Sequence, residues 1–310
     1  MNDPSHNQIN KKYNLIIPFP WNYIRFPAKS HLKILFLLIF SFDFFLLSIY
    51  FFFFQIDINP MGKHPPSRLS PATEESLGRD LWMAASNNDL QRVKEILSLE
   101  RVSGRVIDWG DSKFGRSPFY RSCYFGFTEI ATCFMEDPRT DVNRQQSQGC
   151  TPFFIACQQG QASLVKIMLE AGPDLKPFLV NQTNLRGETP FFIACQNQQV
   201  DVVRLLLEDT RTEVNRAENE NVTPLWIAAQ ENHLDVIEWV LASPLEIDVT
   251  VKSGGEWWWS QLTASEQARE SGNRECGEVI EAYEKDKEAV RVRLRNKLRI
   301  HRETFFSCPL

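Results

Sequence analysis

Five histidines and seven cysteines are the side chains of this 310-residue chain best suited to proton transfer, metal binding or covalent catalysis. Their placement argues against all three. His6, His31, His64, His233 and His301 are scattered, no Cys-x-x-Cys occurs, and no Cys or His pair has metal-ligand spacing. The carboxylates Asp137, Asp141, Glu208 and Asp209 fall in segments that read as loops, where solvated acids are expected rather than acid–base pairs. Gly254–Gly255 is a turn and not a phosphate-cradling loop. No catalytic residue, metal ligand, cofactor or small-molecule substrate is therefore expected. A net charge of −5 likewise gives no electrostatic footprint for nucleic acid.

Three of the cysteines share a pattern of another kind. Cys123, Cys157 and Cys195 occupy one slot of a recurring stretch. It reads GCTPFFIACQQGQASLVKIML at Gly149–Leu169, GETPFFIACQNQQVDVVRLLL at Gly187–Leu207 and NVTPLWIAAQENHLDVIEWVL at Asn221–Leu241. A degenerate copy, GRSPFYRSCYFGFTEIATCFM, opens at Gly115, and weaker ones begin near Arg79 and Gln261. Ser117, Thr151, Thr189, Thr223 and Thr263 start the units at separations of 34, 38, 34 and 40 residues. A period of this size, with one helix-turn-helix per unit, is a solenoid signature.

Each unit has a mechanical reading. The Ser or Thr is a helix N-cap and the following Pro fills the first helical position, where a missing N–H costs nothing. Ala84, Ser122, Ala156, Ala194, Ala228 and Ala268 keep one slot small, so that neighbouring helix pairs approach closely. The cysteines beside that slot read as reduced core residues, and a reducing compartment fits them. One pair cannot cover its own apolar face, so several must stack. Gly115, Gly149, Gly187 and Asn221 stand where a turn needs positive φ. Asn143, Asn181 and Asn215 each precede the next Thr by eight residues, and DPRTDVN at Asp137 nearly repeats as DTRTEVN at Asp209.

At these residues the chain resembles the ankyrin-repeat family, whose signature is T-P-L-H-x-A followed by a G-H and an apolar run. The resemblance covers 79–283, with four clear units and an atypical one at each end. It implies an all-α solenoid of stacked helix-turn-helix units with short β-hairpin fingers, about six units including the caps. The family's His slot departs consistently, holding Trp82, Tyr120, Phe154, Phe192, Trp226 and Glu266. An aromatic ladder stacked from unit to unit is the expected substitute, mainly as core, with a ligand-facing row as the alternative.

The resemblance further implies a concave face that grips protein partners. Carried to this sequence, the helix-end positions are Ser86–Asn87, Tyr124–Phe125, Gln158–Gln159, Gln196–Asn197 and Gln230–Glu231. Finger-tip positions include Trp109, Lys113, Gln145, Gln146, Gln182, Asn184, Arg186, Arg216 and Glu218. Such a groove is amide-rich, and the expected ligand is an uncharged or weakly charged protein segment. The last finger, SGGEWWWSQ, adds Trp257, Trp258 and Trp259, which cannot all face one core. Trp257 and Trp258 are partner-contact candidates, with capping of the stack as the other reading.

The flanks bear on location. Residues 1–33 are polar to mixed, and 34–58 form a hydrophobic segment. Within it Ile34–Phe54 could serve as a transmembrane helix, despite Asp43 near its centre. Residues 59–78 read as a Pro/Ser-rich linker and 284–310 as a basic C-terminal helix and tail, docked on the last unit or binding an acidic lipid or partner. Lys11, Lys12, Arg25, Lys29 and Lys33 before the apolar run favour a cytosolic N-terminus, which conflicts with free thiols in the repeats. Three resolutions stay open: a cytoplasmic repeat domain on a single N-terminal anchor, translation from Met61 with the apolar run a gene-model artefact, or a translocated protein. The expected function is a non-catalytic protein–protein interaction scaffold or adaptor, membrane-tethered or wholly soluble and cytosolic. An adaptor subunit of an enzyme complex is the remaining reading.

Overall fold

The structure is a computed structural model and describes residues 69–171, 177–254 and 261–300. The hydrophobic segment 34–58, the Trp257–Trp259 run and the tail beyond Ile300 lie outside the described residues. Helix pairs follow one another along the chain. The first helices of the units are α1 (Pro71–Ser86), α4 (Pro118–Phe125), α6 (Pro152–Gln158), α8 (Pro190–Gln196), α10 (Pro224–Gln230) and α12 (Ala264–Glu270). Their partners are α2 (Leu90–Leu97), α5 (Thr128–Glu136), α7 (Ala162–Glu170), α9 (Val200–Glu208), α11 (Leu234–Ala242) and α13 (Arg274–Lys285). A single turn, α3 (Gly104–Ile107), follows α2, and α14 (Lys287–Lys297) closes the described chain.

The caps are those the sequence specifies. The hydroxyls of Ser117, Thr151, Thr189 and Thr223 accept from the N–H of Tyr120, Phe154, Phe192 and Trp226, at 3.0–3.2 Å. Thr263 and Glu266 form a reciprocal capping box in the last unit. Each first helix packs on the first helix of the next unit, and each second helix on the next second helix. The small slot and the cysteines lie at that seam: Ala156, Cys157, Ala194, Cys195 and Ala228 are fully buried. Burial pushes the thiols of Cys123, Cys157 and Cys195 well above their ordinary range, so they act as apolar filler.

Side-chain staples repeat between units and explain both internal matches in the loops. Asn143 donates from Nδ2 to the Pro177 carbonyl (2.9 Å) and accepts at Oδ1 from Leu179 N–H (3.0 Å). Asn181 does the same with Arg211 and Glu213, and Asn215 with Glu246 and Asp248. In the DPRT and DTRT loops, Asp137 fixes Arg139 and Asp209 fixes Arg211 by side-chain and backbone bonds. Each arginine then reaches back to a carbonyl at the C-terminal end of the preceding unit's second helix, Leu97 (2.6 Å) or Leu169 (3.2 Å). These are helix-end acceptors that the helix itself cannot satisfy.

Several expectations are corrected. The stretch 59–78, read as linker, contains the start of α1: Ser70 caps it from Thr73 N–H, and Pro71 is its first residue. Pro, Ser and Glu are frequent in linkers, but they are also the residues of a helix N-terminus. No strand is assigned among the described residues, so the fingers are tight turns and not β-hairpins. Fingers carry backbone bonds across their own turns, such as Gln146 N–H to the Cys150 carbonyl and Gly149 N–H to the Gln146 carbonyl, and a backbone bond from finger to finger. Ser147, Leu185, Asn219 and Gly254 donate in turn to Phe114, Gln148, Arg186 and Glu220.

The aromatic ladder is also absent: none of Trp82, Tyr120, Phe154, Phe192 and Trp226 forms a ring pair with another among the described residues. Helices pack about 8–10 Å apart, too far for rings of about 4.5–7 Å separation to stack unless they lean together. Instead the two indoles donate forward, Trp82 Nε1 to the Arg116 carbonyl and Trp226 Nε1 to the Leu262 carbonyl, both 2.9 Å. Those carbonyls belong to the residues just before the next caps, Ser117 and Thr263.

The basic C-terminal helix α14 docks on α11 and α13. Arg291 is buried, bonded to Tyr283 Oη (2.9 Å) and the Leu245 carbonyl (3.2 Å). Lys297 pairs with the buried Glu238 (2.5 Å), and Arg295 caps the Ala242 carbonyl at the end of α11 (2.8 Å). Its cations thus meet the negative end of a neighbouring helix.

Candidate functional site

A groove runs along the first-helix side, and its floor follows from position within the unit. Counting from the cap, the third residue forms the row Phe154, Phe192, Trp226 and the fourth the row Ile155, Ile193, Ile227. The helix-end glutamines Gln158, Gln196 and Gln230 come three residues later and face the same way. Cβ direction along a helix places residues three and four apart on one face, so the caps alone determine which side chains share the floor.

Two neighbouring cavities show this. The larger, about 810 Å³, is floored by Phe192, Trp226, Ile227 and Gln267 and walled by Gln196, Gln230 and the finger residues Arg186, Glu188, Glu218 and Glu220. The smaller, about 330 Å³, is lined by Tyr120, Phe154, Ile193, Gln158, Gln146 and Cys150. Leu185, Arg186, Glu188 and Gln196 border both. Leu185 is 72% exposed, an apolar side chain standing at a finger tip over the groove. The aromatic row is therefore buried core whose edges floor the cavity.

The polar wall is less neutral than the glutamines alone suggested. Glu188 is buried, held by Asn184 Nδ2 (2.5 Å) and lying 3.9 Å from Arg186. Glu218 accepts from the backbone N–H of Glu220 and Val222 with one oxygen; burial raises its carboxyl above the usual range, and those bonds only partly offset the effect. Neither Glu218 nor Glu220 has a cationic partner among the described residues. The amides remain the more numerous feature of this wall.

The sequence-selected residues divide cleanly. Gln146, Gln158, Arg186, Gln196 and Gln230 line the two cavities. Gln159, Asn197 and Glu231 fall at the helix C-caps and are exposed beside them. Gln145 bridges neighbouring fingers through the Gly149 and Thr183 carbonyls. Trp109 is not a free finger tip: it packs on α1, where a Cβ on Gly78 would come within 2.5 Å of its side chain. Arg216 lies in a different depression, with Phe178 and Asn181, and pairs with Glu213. Tyr124 and Phe125 meet edge to face at the end of α4, with ring centroids 5.0 Å apart. Trp257 and Trp258 are outside the described residues.

Sequence reasoning missed Leu185, Glu188, Glu220 and Gln267. An apolar residue between Asn184 and Arg186 at a turn tip was the available signal for the first. His233, by contrast, sits where the family's G-H is read. Its Nδ1 is 3.0 Å from the Cys195 carbonyl, at the end of the preceding unit's first helix. Gln161, Gln199 and Asn273 reach back to the Tyr124, Gln158 and Gln230 carbonyls from the same slot.

Repeated helix pairs, side-chain staples between them and a groove across their first helices define an interaction solenoid. The family model for ankyrin repeats (three copies) matches residues 81–178 and 174–253, and the chain belongs to the ankyrin-repeat family. It is similar to the solved ankyrin repeat protein EF0377, at 26% identity and TM-score 0.55, over 66% of this chain and 96% of that one. An ankyrin repeat domain from Acinetobacter baumannii AYE shares the fold at 24% identity and TM-score 0.54, over 65% of this chain and 96% of that one. Delta-latroinsectotoxin-Lt1a of Latrodectus tredecimguttatus is 31% identical over 105 residues, which are 33% of this chain and 8% of the toxin. The match thus spans less than a tenth of that relative. Ankyrin repeats are protein–protein interaction modules. No helix among the described residues is long and apolar enough to cross a membrane.

Proposed function

We propose that the chain is a scaffold without catalytic activity of its own, holding an extended segment of a partner protein in the groove between Tyr120 and Gln267. One observation carries this reading: an apolar floor of Phe154, Phe192, Trp226 and Ile193 continues across units beneath a row of glutamines. Amides can pair with the backbone of an extended segment without requiring charge, and the floor takes its alternate side chains. Peptides selected from a random phage-displayed library on the full chain provide the probe. Titration calorimetry of a selected peptide should show binding weakened at least about tenfold by the Gln158→Ala, Gln196→Ala pair and by Leu185→Asp. Unchanged affinity in both variants rejects the groove.

The apolar run Ile34–Phe54 favours one addition, a membrane tether for this scaffold. The buried free cysteines support a reducing, cytoplasmic setting for the repeats. Recovery of the native protein in a carbonate-resistant pellet supports the tether, and a wholly soluble pool rejects it.

A further inference from the structure

The fourth position after the cap, which floors the groove, is Ile155, Ile193 and Ile227 in the three most regular units. In the second unit it is Arg121. An apolar floor position has been exchanged for a guanidinium, and the surroundings are built around it. Its carbon Cζ lies 4.6 Å from the Phe125 ring centroid, 4.9 Å from that of Trp82 and 5.5 Å from that of Tyr124. Its Nε donates to Ser86 Oγ (3.0 Å), and Ser86 in turn donates to the Trp82 carbonyl (2.8 Å). Phe125 stacks on Phe127, with centroids 5.3 Å apart and planes 24° from parallel.

What the cluster lacks is an anion. Arg116, Arg139 and Arg211 each have a carboxylate within 3 Å; Arg121 has none within 4 Å among the described residues. Burial and then the nearby Arg116 disfavour the Arg121 charge, and Asp111 offsets only part of this from a distance, being already taken by the Arg116 side chain and three backbone N–H groups. The aromatic faces attract the cation but leave its outer donors unused. Phe125, whose ring Arg121 lies over, is open to solvent (39%), as is Met83 (48%), the residue after Trp82 on α1. Buried core does not need a charge here, and a guanidinium set among three rings, with its Nε engaged by Ser86, keeps its two terminal nitrogens for bidentate pairing.

We infer that Arg121 is the anchor for a carboxylate of the bound partner segment, an Asp or Glu followed or preceded by an aromatic or aliphatic residue that packs on Phe125 and Met83. The inference rests on the groove reading above and extends it to the first two units. It also gives the partner a direction, because Glu218 and Glu220 stand at the other end of the groove. The acidic part of the segment lies toward α4, and any basic part toward the finger after α9.

The test uses the same full-chain selection from random linear peptides. Enriched sequences should share an acidic residue next to Phe, Leu, Trp or Ile. Arg121→Gln should weaken a selected peptide at least about tenfold, as should replacing the peptide's acid by its amide, with no further loss when both changes are combined. Arg121→Lys keeps the charge but not the fork and should recover part of the loss, whereas Arg101→Gln, exposed and outside the cluster, should have no effect. Wild-type affinity should also fall with added salt, a readout independent of any variant's folding. Peptides that lack an acid, that bind without salt dependence, or that ignore Arg121→Gln while losing affinity in Gln158→Ala, Gln196→Ala overturn the anchor and leave the groove standing. Enrichment of no peptide at all defeats both.

Discussion

Within each unit the turn between the helices has positive φ at the ninth residue after the cap position. Glycine takes it at Gly126, Gly160 and Gly272, but Gln198 is held there at φ 55°. A residue with a Cβ loses roughly 1–2 kcal/mol in this region. The Gln198 side chain recovers some of that by bonding both oxygens of Asp235 at the surface (3.0 and 3.1 Å). Gln198→Gly should therefore raise stability modestly, by about 0.5–1 kcal/mol, as a higher midpoint in urea. The converse, Gly160→Ala, should destabilise, because the added Cβ meets the Gln199 side-chain amide in a conformation alanine disfavours.

Two carboxyl groups lead to opposite pH effects. Burial raises Asp209, but the Arg211 side chain and N–H outweigh it and leave its carboxyl below the usual range. A depressed acid contributes stability that is present above the ordinary carboxyl range, about pH 4, and lost as pH falls through the lower folded value. Glu218 runs the other way. Its carboxyl is raised chiefly by burial, so ionising it costs the folded state, and stability declines as pH climbs from about 4 through the folded value. Glu218→Gln keeps an oxygen for the two backbone N–H groups and removes the charge. It should match or exceed the wild-type urea midpoint at neutral pH and lose that advantage below about pH 4, whereas Asp209→Asn should be destabilising at neutral pH and converge with wild type in acid.

Between elements, the loop staples explain what was and was not legible in the sequence. The caps Ser117, Thr151, Thr189 and Thr223 were readable because one residue, followed by Pro, makes one local bond. The asparagine period and the DPRT–DTRT match were visible as patterns, but their partners lie 30–42 residues away and only the stacked fold brings them together. Arg121 was invisible for a related reason: a charge inside a short helix reads as a solvated face until the rings of Trp82 and Tyr124 are placed around it. The fingers differ from the expected hairpins because each closes within about five residues, too short for a ladder, and spends its other backbone bond on the next finger. Asn181→Ala removes both staple bonds to the following loop, to the Arg211 carbonyl and from Glu213 N–H. These groups are exposed, so water replaces part of the loss and the cost should be about 1–2 kcal/mol in urea unfolding. Asn181→Asp keeps the acceptor but not the donor and should fall between.

Over the whole stack each helix pair contacts its neighbours, so stability is a chain of local interfaces rather than one shared core. The C-terminal end shows the consequence most directly. Glu238 on α11 is buried, with 7% of its side chain exposed, and its cationic partner is Lys297 of α14. Lys297→Met leaves that carboxylate inside without a counter-charge, a change that typically costs more than the pair contributes. Glu238→Gln together with Lys297→Met removes the stranded charge and should recover most of the loss. The damage should also stay local. Amide hydrogen exchange in Lys297→Met should speed up in α11, α13 and α14, where the interface is weakened, while α4 and α6 keep wild-type protection, because at least two unit interfaces separate them from α11. Uniform loss of protection from α4 to α14 would mean that the units unfold as a single cooperative body, and the nearest-neighbour account of this solenoid would have to be abandoned.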